Sequence, residues 1–398
     1  MIRFMARSLV LLTCLFTTLE LHAADGLPAG IVKQKPESGR FVETPAGFMV
    51  EHKVTIPGTE VSFIMVPIRG GTIKVGSPDS EANRDDSEGP QFEVEVQPFW
   101  MGKFEVSWAE YKSYMRMHDI FKQFESKKIR DIGDSTKSLV ITAPSNLYDT
   151  SFTYVSGDKP ELPAVTMSQY AAKQYTKWLS LLTKSFYRLP TESEWEHACR
   201  AGTTTAYHFG DDPKELKNYG WFYDNSDGRS RTIGQLKPNP WGLYDMHGNV
   251  AEWVLDGMLD DGYTKFAGQK LSAADALVTT DKLFPRVVKG GNWDMDPEDC
   301  RSASRLPSHD DNWRSEDPNF PLSPWWFTSG ESLGVGMRII RPLTPAPTAD
   351  REKYWKADIS LVQEDVDFRI DEEGRGARGF VDEKLPSAIE MLKKLLGE

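Results

Sequence analysis

The chain has 398 residues, a formal net charge of −12, 39% hydrophobic residues and 12 tryptophans. That length holds one large or two ordinary domains, and the aromatic content suffices for a sizeable core. The acidic balance argues against nucleic acid or an anionic membrane surface as a partner. Many Gly and Pro residues, with few long apolar periodic runs, predict an irregular, loop-rich globule.

Residues 1–24 read as an export signal. Arg3 and Arg7 precede the apolar run Leu9 to Phe16, and Leu21-His22-Ala23-Ala24 offers small residues for cleavage. The run is far shorter than the roughly 20 residues of a spanning helix, so no transmembrane segment is expected. The expected location is secreted or periplasmic; a buried N-terminal helix is the alternative. Cys14 follows poor lipobox residues, which makes lipidation the minor reading. After cleavage Cys199 and Cys300 remain. An even pair in an exported protein is most simply a disulfide, two independent buried thiols being the alternative.

Residues 25–59 are polar and rich in Pro and Gly, which predicts a linker with a first strand near Phe48 to Ile56. Short β-like runs follow at Phe63 to Pro67 and Ile73 to Val75. The stretch Gln91 to Val96 alternates apolar and acidic residues as a half-buried strand does. The acidic stretch Asp79 to Glu88 reads as a solvated loop. Ser107 and Glu110 form a capping box ahead of Trp108, Tyr111 and Met115, and Thr191 and Glu194 form another ahead of Trp195 and Cys199. Ala171, Tyr175, Trp178 and Leu182 recur at helical spacing behind Ser168. The run Thr344 to Thr348 ends the main domain at about residue 342. Residues 343–398 form a charged extension with a last amphipathic stretch (Ile389, Leu392, Leu395, Leu396), free to pack on the domain, bind a partner or stay unfolded.

Trp241 to Trp253 is the most informative segment: a Gly- and Asn-rich loop between aromatics, closed by Glu252. Its run Gly-Leu-Tyr-Asp-Met-His-Gly-Asn-Val-Ala-Glu-Trp resembles the signature of the formylglycine-generating-enzyme (sulfatase-modifying factor) family. Gly70 to Ser77, Lys103 to Ser107, Arg188 to Glu196, Arg286 to Trp293 and Cys300 to Arg305 resemble further family segments in the same order. The resemblance spans residues 60–342. It implies an α+β, C-type-lectin-like fold with little regular secondary structure.

The resemblance also implies site residues. A calcium ion takes oxygens from carboxylates and carbonyls, and the family's calcium loop carries over to Asp245, Gly248, Val250 and Glu252. A second calcium site carries over to Asn218, Tyr219, Asn225 and Asp227; simple turn-capping is the alternative for both. Oxidase members use paired cysteines that bind copper, because soft thiolates suit Cu(I). The corresponding stretch Asn292 to Asp299 holds no cysteine, which makes copper an unexpected cofactor here; Met295 alone is a weak soft ligand. Cys199 and Cys300 match the family's structural positions, so a bridge between them is expected. Asn292, Arg305 and Arg338 match positions that hold a bound peptide, and Trp325 and Trp326 sit in an aromatic insertion next to that groove. His247 is expected in a hydrogen-bonded structural role. These features together predict a calcium-stabilised binding or scaffold protein with a peptide or protein ligand. The alternatives are a formylglycine-generating oxidase and a different oxidoreductase in the same groove.

Overall fold

The computed structural model describes residues 27–147, 149–308, 313 and 323–397. The export signal lies outside the described residues. The rest is α+β, with short strands in five small sheets and a few helices between long loops.

The helices start where side-chain chemistry permits. Trp108–Met115 is capped by Ser107, whose Oγ accepts from the Glu110 N–H while the Glu110 carboxylate accepts from the Ser107 N–H. Glu192–Arg200 repeats the device with Thr191 and Glu194, and Gln169–Thr183 starts on the Ser168 hydroxyl. The second of these stops at Ala201 in the left-handed region (φ 50°), one residue before Gly202. Phe92–Val96 is the alternating strand, paired antiparallel with Gly71–Val75.

Two main apolar clusters result, beside a small third one of Tyr207, Leu216, Phe222 and Cys300. The larger surrounds Gln169–Thr183 and gathers Trp108, Tyr111, Tyr175, Trp178, Trp253 and Trp325. The smaller lies between the Phe92–Val96 sheet and the apolar face of Glu192–Arg200, with Trp195 and Cys199 fully enclosed. The strand Ala251–Gly257 joins them. It pairs antiparallel with Arg286–Lys289 and parallel with Val335–Met337, which sets Glu252 opposite Lys289 and Gly336.

Three expectations about organisation change. The described part of 25–59 is more than a linker: Phe41–Thr44 and Gly47–Val50 form a hairpin across Pro45-Ala46, and His52–Thr55 pairs with Ser62–Ile68. The acidic loop is not simply solvated. Glu88 is buried and, with Glu81, binds the Arg301 guanidinium (2.5 and 2.6 Å), which arrives from more than 200 residues away.

The C-terminal extension packs on the domain. Its strand Ala377–Phe380 pairs with Val140–Ala143, and Trp355 donates to the Tyr187 carbonyl (2.9 Å). In the last helix, Leu385–Leu396, Leu392 is buried but Leu395 and Leu396 are exposed.

Candidate functional site

The signature loop turns on two left-handed residues, Asp245 (φ 58°) and Asn249 (φ 65°), a conformation that short polar side chains tolerate. Gly248 (φ 139°) comes so close to Trp221 that a Cβ would stand 2.3 Å from its carbonyl oxygen. The loop therefore delivers its side chains inward. Asn249 donates to Glu105 Oε1 (3.0 Å) and accepts from the Arg231 N–H (2.8 Å).

Glu252 meets Arg338, which is fully buried. The guanidinium donates through Nε and Nη2 to Glu252 Oε1 (2.9 and 2.7 Å), and through its remaining donors to the carbonyls of Gly102 (2.9 Å) and Tyr244 (2.8 Å). Trp195 Nε1 donates to the other Glu252 oxygen at 2.7 Å. Arg338 thus sits inside the protein as a clamp on Glu252 and two backbone carbonyls rather than on a groove.

These residues do not fit a calcium cage. Glu252, the one carried-over glutamate, has both oxygens occupied by N–H donors and its charge matched by Arg338. Asp245 keeps one oxygen on the Gly234 N–H (2.7 Å); its other oxygen and Glu105 Oε2 are enclosed, and the two carboxyl groups act on each other. Burial raises the Asp245 carboxyl to about 6 and pushes Glu105 well above the ordinary range, with the nearby carboxylates adding to both shifts.

The side chains of the second set are engaged with protein partners. Asn218 bonds Glu215 and receives Lys237 on its carbonyl, Asn225 closes a turn on the Phe222 N–H, and Asp227 faces Arg231. Among the described residues no group of three or more His, Cys, Asp or Glu side chains is arranged to hold a metal ion.

The expected disulfide is also absent: Cys199 and Cys300 are both free and buried. Cys199 Sγ lies 3.6 Å from His247 Nε2 and 3.6 Å from Ser302 Oγ, so its space is taken by polar partners. The Cys300 Sγ fills the hollow over Gly291, where a Cβ would lie 2.5 Å from it. Burial pushes the Cys199 thiol up to about 12 and raises Cys300 as well, with the acids Asp299, Asp296 and Glu298 adding to the latter. His247 is enclosed, with Nδ1 on the Cys300 carbonyl (2.7 Å) and Nε2 on His208 Nδ1 (2.9 Å); burial lowers it to about 4.

The groove residues separate. Arg305 is bidentate to Glu192 (2.8 and 3.0 Å) and buried, an internal ion pair rather than a ligand fork. Trp325 and Trp326 are core residues; Trp326 Nε1 donates to the Ser145 carbonyl (2.9 Å). The extension covers Trp325, with Gly376 against its ring, and Trp326 packs edge-on to Tyr111 within the domain.

Only Asn292 faces a depression. With Trp293, Met295, Gly330, Glu331 and Gly334 it lines a hollow of about 310 Å³. Asn292 Oδ1 accepts from the Asp294 N–H (2.9 Å), and its amide packs so tightly on Gly334 that no Cβ fits there. Asp294 and Glu331 make the hollow acidic.

Sequence reading passed over the burial of Glu105 and the ion pairing of the acids on the 192–200 helix, where it assigns Glu194 only to the cap. Glu192 pairs with Arg305, Glu194 with Arg188 (2.7 Å) and Glu196 with Arg200 (2.8 Å). Three acids at alternate positions (192, 194 and 196) of one buried helix were the available signal, since such charges are rarely enclosed without partners.

The chain was compared with known proteins. A formylglycine-generating enzyme of Thermomonospora curvata is 27% identical over 263 residues, covering 59% of this chain and 84% of that protein. The Mycobacterium tuberculosis formylglycine-generating enzyme is 32% identical over 169 residues, 39% of this chain and 54% of that one. A mouse protein titled inactive C-alpha-formylglycine-generating enzyme 2 is 29% identical over 216 residues, 48% of this chain and 68% of its own length. Among solved structures, PvdO from Pseudomonas aeruginosa aligns over 72% of this chain and 97% of its own, at 25% identity and a TM-score of 0.49. The family model described as the sulfatase-modifying factor enzyme 1-like domain matches residues 57–316, and the chain, with the α+β fold and signature loop described above, belongs to that family.

Proposed function

We propose that this chain is an exported family member without thiol-based oxidase chemistry, which binds a polypeptide in the hollow beside Asn292. One observation carries the reading: the stretch Asn292 to Asp299 holds no cysteine, and both described cysteines are enclosed in the core with raised pKa values. Copper of the family type needs accessible thiolates, and neither sulfur is placed to supply one. The mouse relative's title as an inactive enzyme supports a family with non-catalytic members. Asp294 and Glu331 favour a segment with a basic side chain, since opposite charge steers encounter and orients the partner.

Calcium is not required by this reading: the Glu252–Arg338 pair supplies the charge balance that an ion would bring to the loop. The composition of residues 1–24 supports export, and a mature N-terminus near Asp25 is the expected mass-spectrometric result.

Two assays test the proposal. Oxygen uptake with copper and a cysteine-containing sulfatase peptide is expected to stay at background. Fluorescent lysine-rich peptides are expected to bind saturably, and Asp294→Asn with Glu331→Gln to weaken them, while glutamate-rich peptides do not bind. Copper-dependent turnover would overturn the reading in favour of a formylglycine-generating or related oxidase using other ligands.

A further inference from the structure

A second concavity lies elsewhere and shares no residue with the hollow beside Asn292. It is a cleft of about 300 Å³ where the C-terminal extension lies against the helix Gln169–Thr183 and the strand Arg286–Lys289. Its walls are largely apolar, from Trp253, Leu283, Phe284, Phe327 and Val362. At its base stand two buried cations. Lys173 Nζ donates to Asp358 Oδ1 (2.6 Å) and Arg286 Nη1 to Asp358 Oδ2, so one carboxylate serves both.

Among the described residues, the remaining charges lining the cleft do not balance them. Asp365 pairs with Arg369 at 3.2 Å on one helix face, and Lys356 adds a further exposed cation. The Arg286 guanidinium is held in place by the carbonyls of Leu283 (3.3 Å) and Lys282 (3.2 Å), which fix its direction without cancelling its charge. Two buried cations facing one partly exposed carboxylate leave an unpaired positive charge, which a low-dielectric site tolerates poorly.

We propose that this cleft binds a small amphipathic carboxylate, with its charged end on Lys173 and Arg286 and its apolar chain along Trp253, Phe284 and Phe327. A few polar groups at the end of an apolar concavity of this size are the usual makeup of a small-molecule site, and the cleft is too narrow for a folded partner. Arginine in a fixed orientation suits a planar carboxylate. Asp358 belongs to the extension and occupies the carboxylate position from within the chain, so it competes with the ligand.

The test uses the full mature chain, with octanoate as the probe and octanol as its neutral counterpart, in titration calorimetry. Octanoate is expected to bind saturably at one site and octanol at least tenfold more weakly. Asp358→Asn is expected to tighten octanoate at least tenfold without helping octanol. Ala357→Trp, which fills the cleft from a half-buried wall position, is expected to abolish binding with the circular dichroism spectrum unchanged. No saturable octanoate binding to the folded wild-type chain overturns the proposal. Equal binding of octanol also overturns it, because the cleft would then be only an apolar cavity. If Asp358→Asn fails to fold, the wild-type comparison and Ala357→Trp decide the question.

Discussion

Arg338→Met tests the reading of the signature loop most directly. The substitution keeps the aliphatic stem and removes every donor. It leaves Glu252 enclosed, with Trp195 Nε1 as its remaining donor, and strips a partner from the Gly102 and Tyr244 carbonyls. Breaking one side of a buried ion pair costs about 3–5 kcal/mol, because the remaining charge is uncompensated. With roughly 2.1 cal/mol/K of unfolding entropy per residue, a chain of this length loses a little over about 1 °C per kcal/mol, so melting should fall by about 5 °C.

The double variant Arg338→Met with Glu252→Gln should recover more than half of that loss, since the orphaned charge is gone and a neutral amide costs less to enclose. Thermal melts by near-UV circular dichroism, each with and without chelator, give the measurement. Wild-type melting should be insensitive to chelator. A drop of several degrees on chelation that disappears in Glu252→Gln would refute the reasoning and place calcium on the loop, because an ion bound only to the folded state adds stability with its concentration.

Other outcomes follow from the same geometry. Burial raises the Glu110 carboxyl to about 7 against an ordinary 4.5, while the Ser107 hydroxyl and N–H partly oppose the shift. For an acid raised in the fold, stability is highest below 4.5, falls as pH rises towards 7 and stays low above it. Glu110→Gln keeps an acceptor for the cap, so it should gain up to about 3 kcal/mol over wild type at pH 8 and nothing near pH 4.5; a difference independent of pH in urea melts would contradict this. Native protein at pH 8 should resist iodoacetamide at both Cys199 and Cys300 and take up two labels once unfolded without reductant; a mass consistent with a bridge would sink the free-thiol assignment. Gly376→Ala should destabilise by about 2 kcal/mol, because its φ of 78° is strained for alanine and the new Cβ would fall 2.4 Å from the Trp325 ring; unchanged melting would mean that the extension is not seated as described.

Much of the architecture was legible along the chain because it rests on local chemistry. The capping boxes at Ser107–Glu110 and Thr191–Glu194 need only three residues of separation, and the alternation of Phe92 to Val96 needs only five residues. The order of the signature segments was enough to place the chain in its family. Partners were another matter. Arg338 and Arg305 look alike in a sequence whether they reach for a ligand or a core carboxylate, and their commitment to Glu252 and Glu192 depends on strands and helices that are 86 and 113 residues away. Cys199 and Cys300 suggested a bridge by count alone, yet the fold placed His247 and Ser302 around one sulfur and Gly291 against the other. Trp325 and Trp326 suggested a groove, yet Gly376 of the extension covers one ring and Tyr111 of the first helix packs on the other. Short-range hydrogen bonding and periodicity are written in the order of residues, whereas the pairing of buried charges and the covering of apolar rings are settled only when distant segments exclude water together.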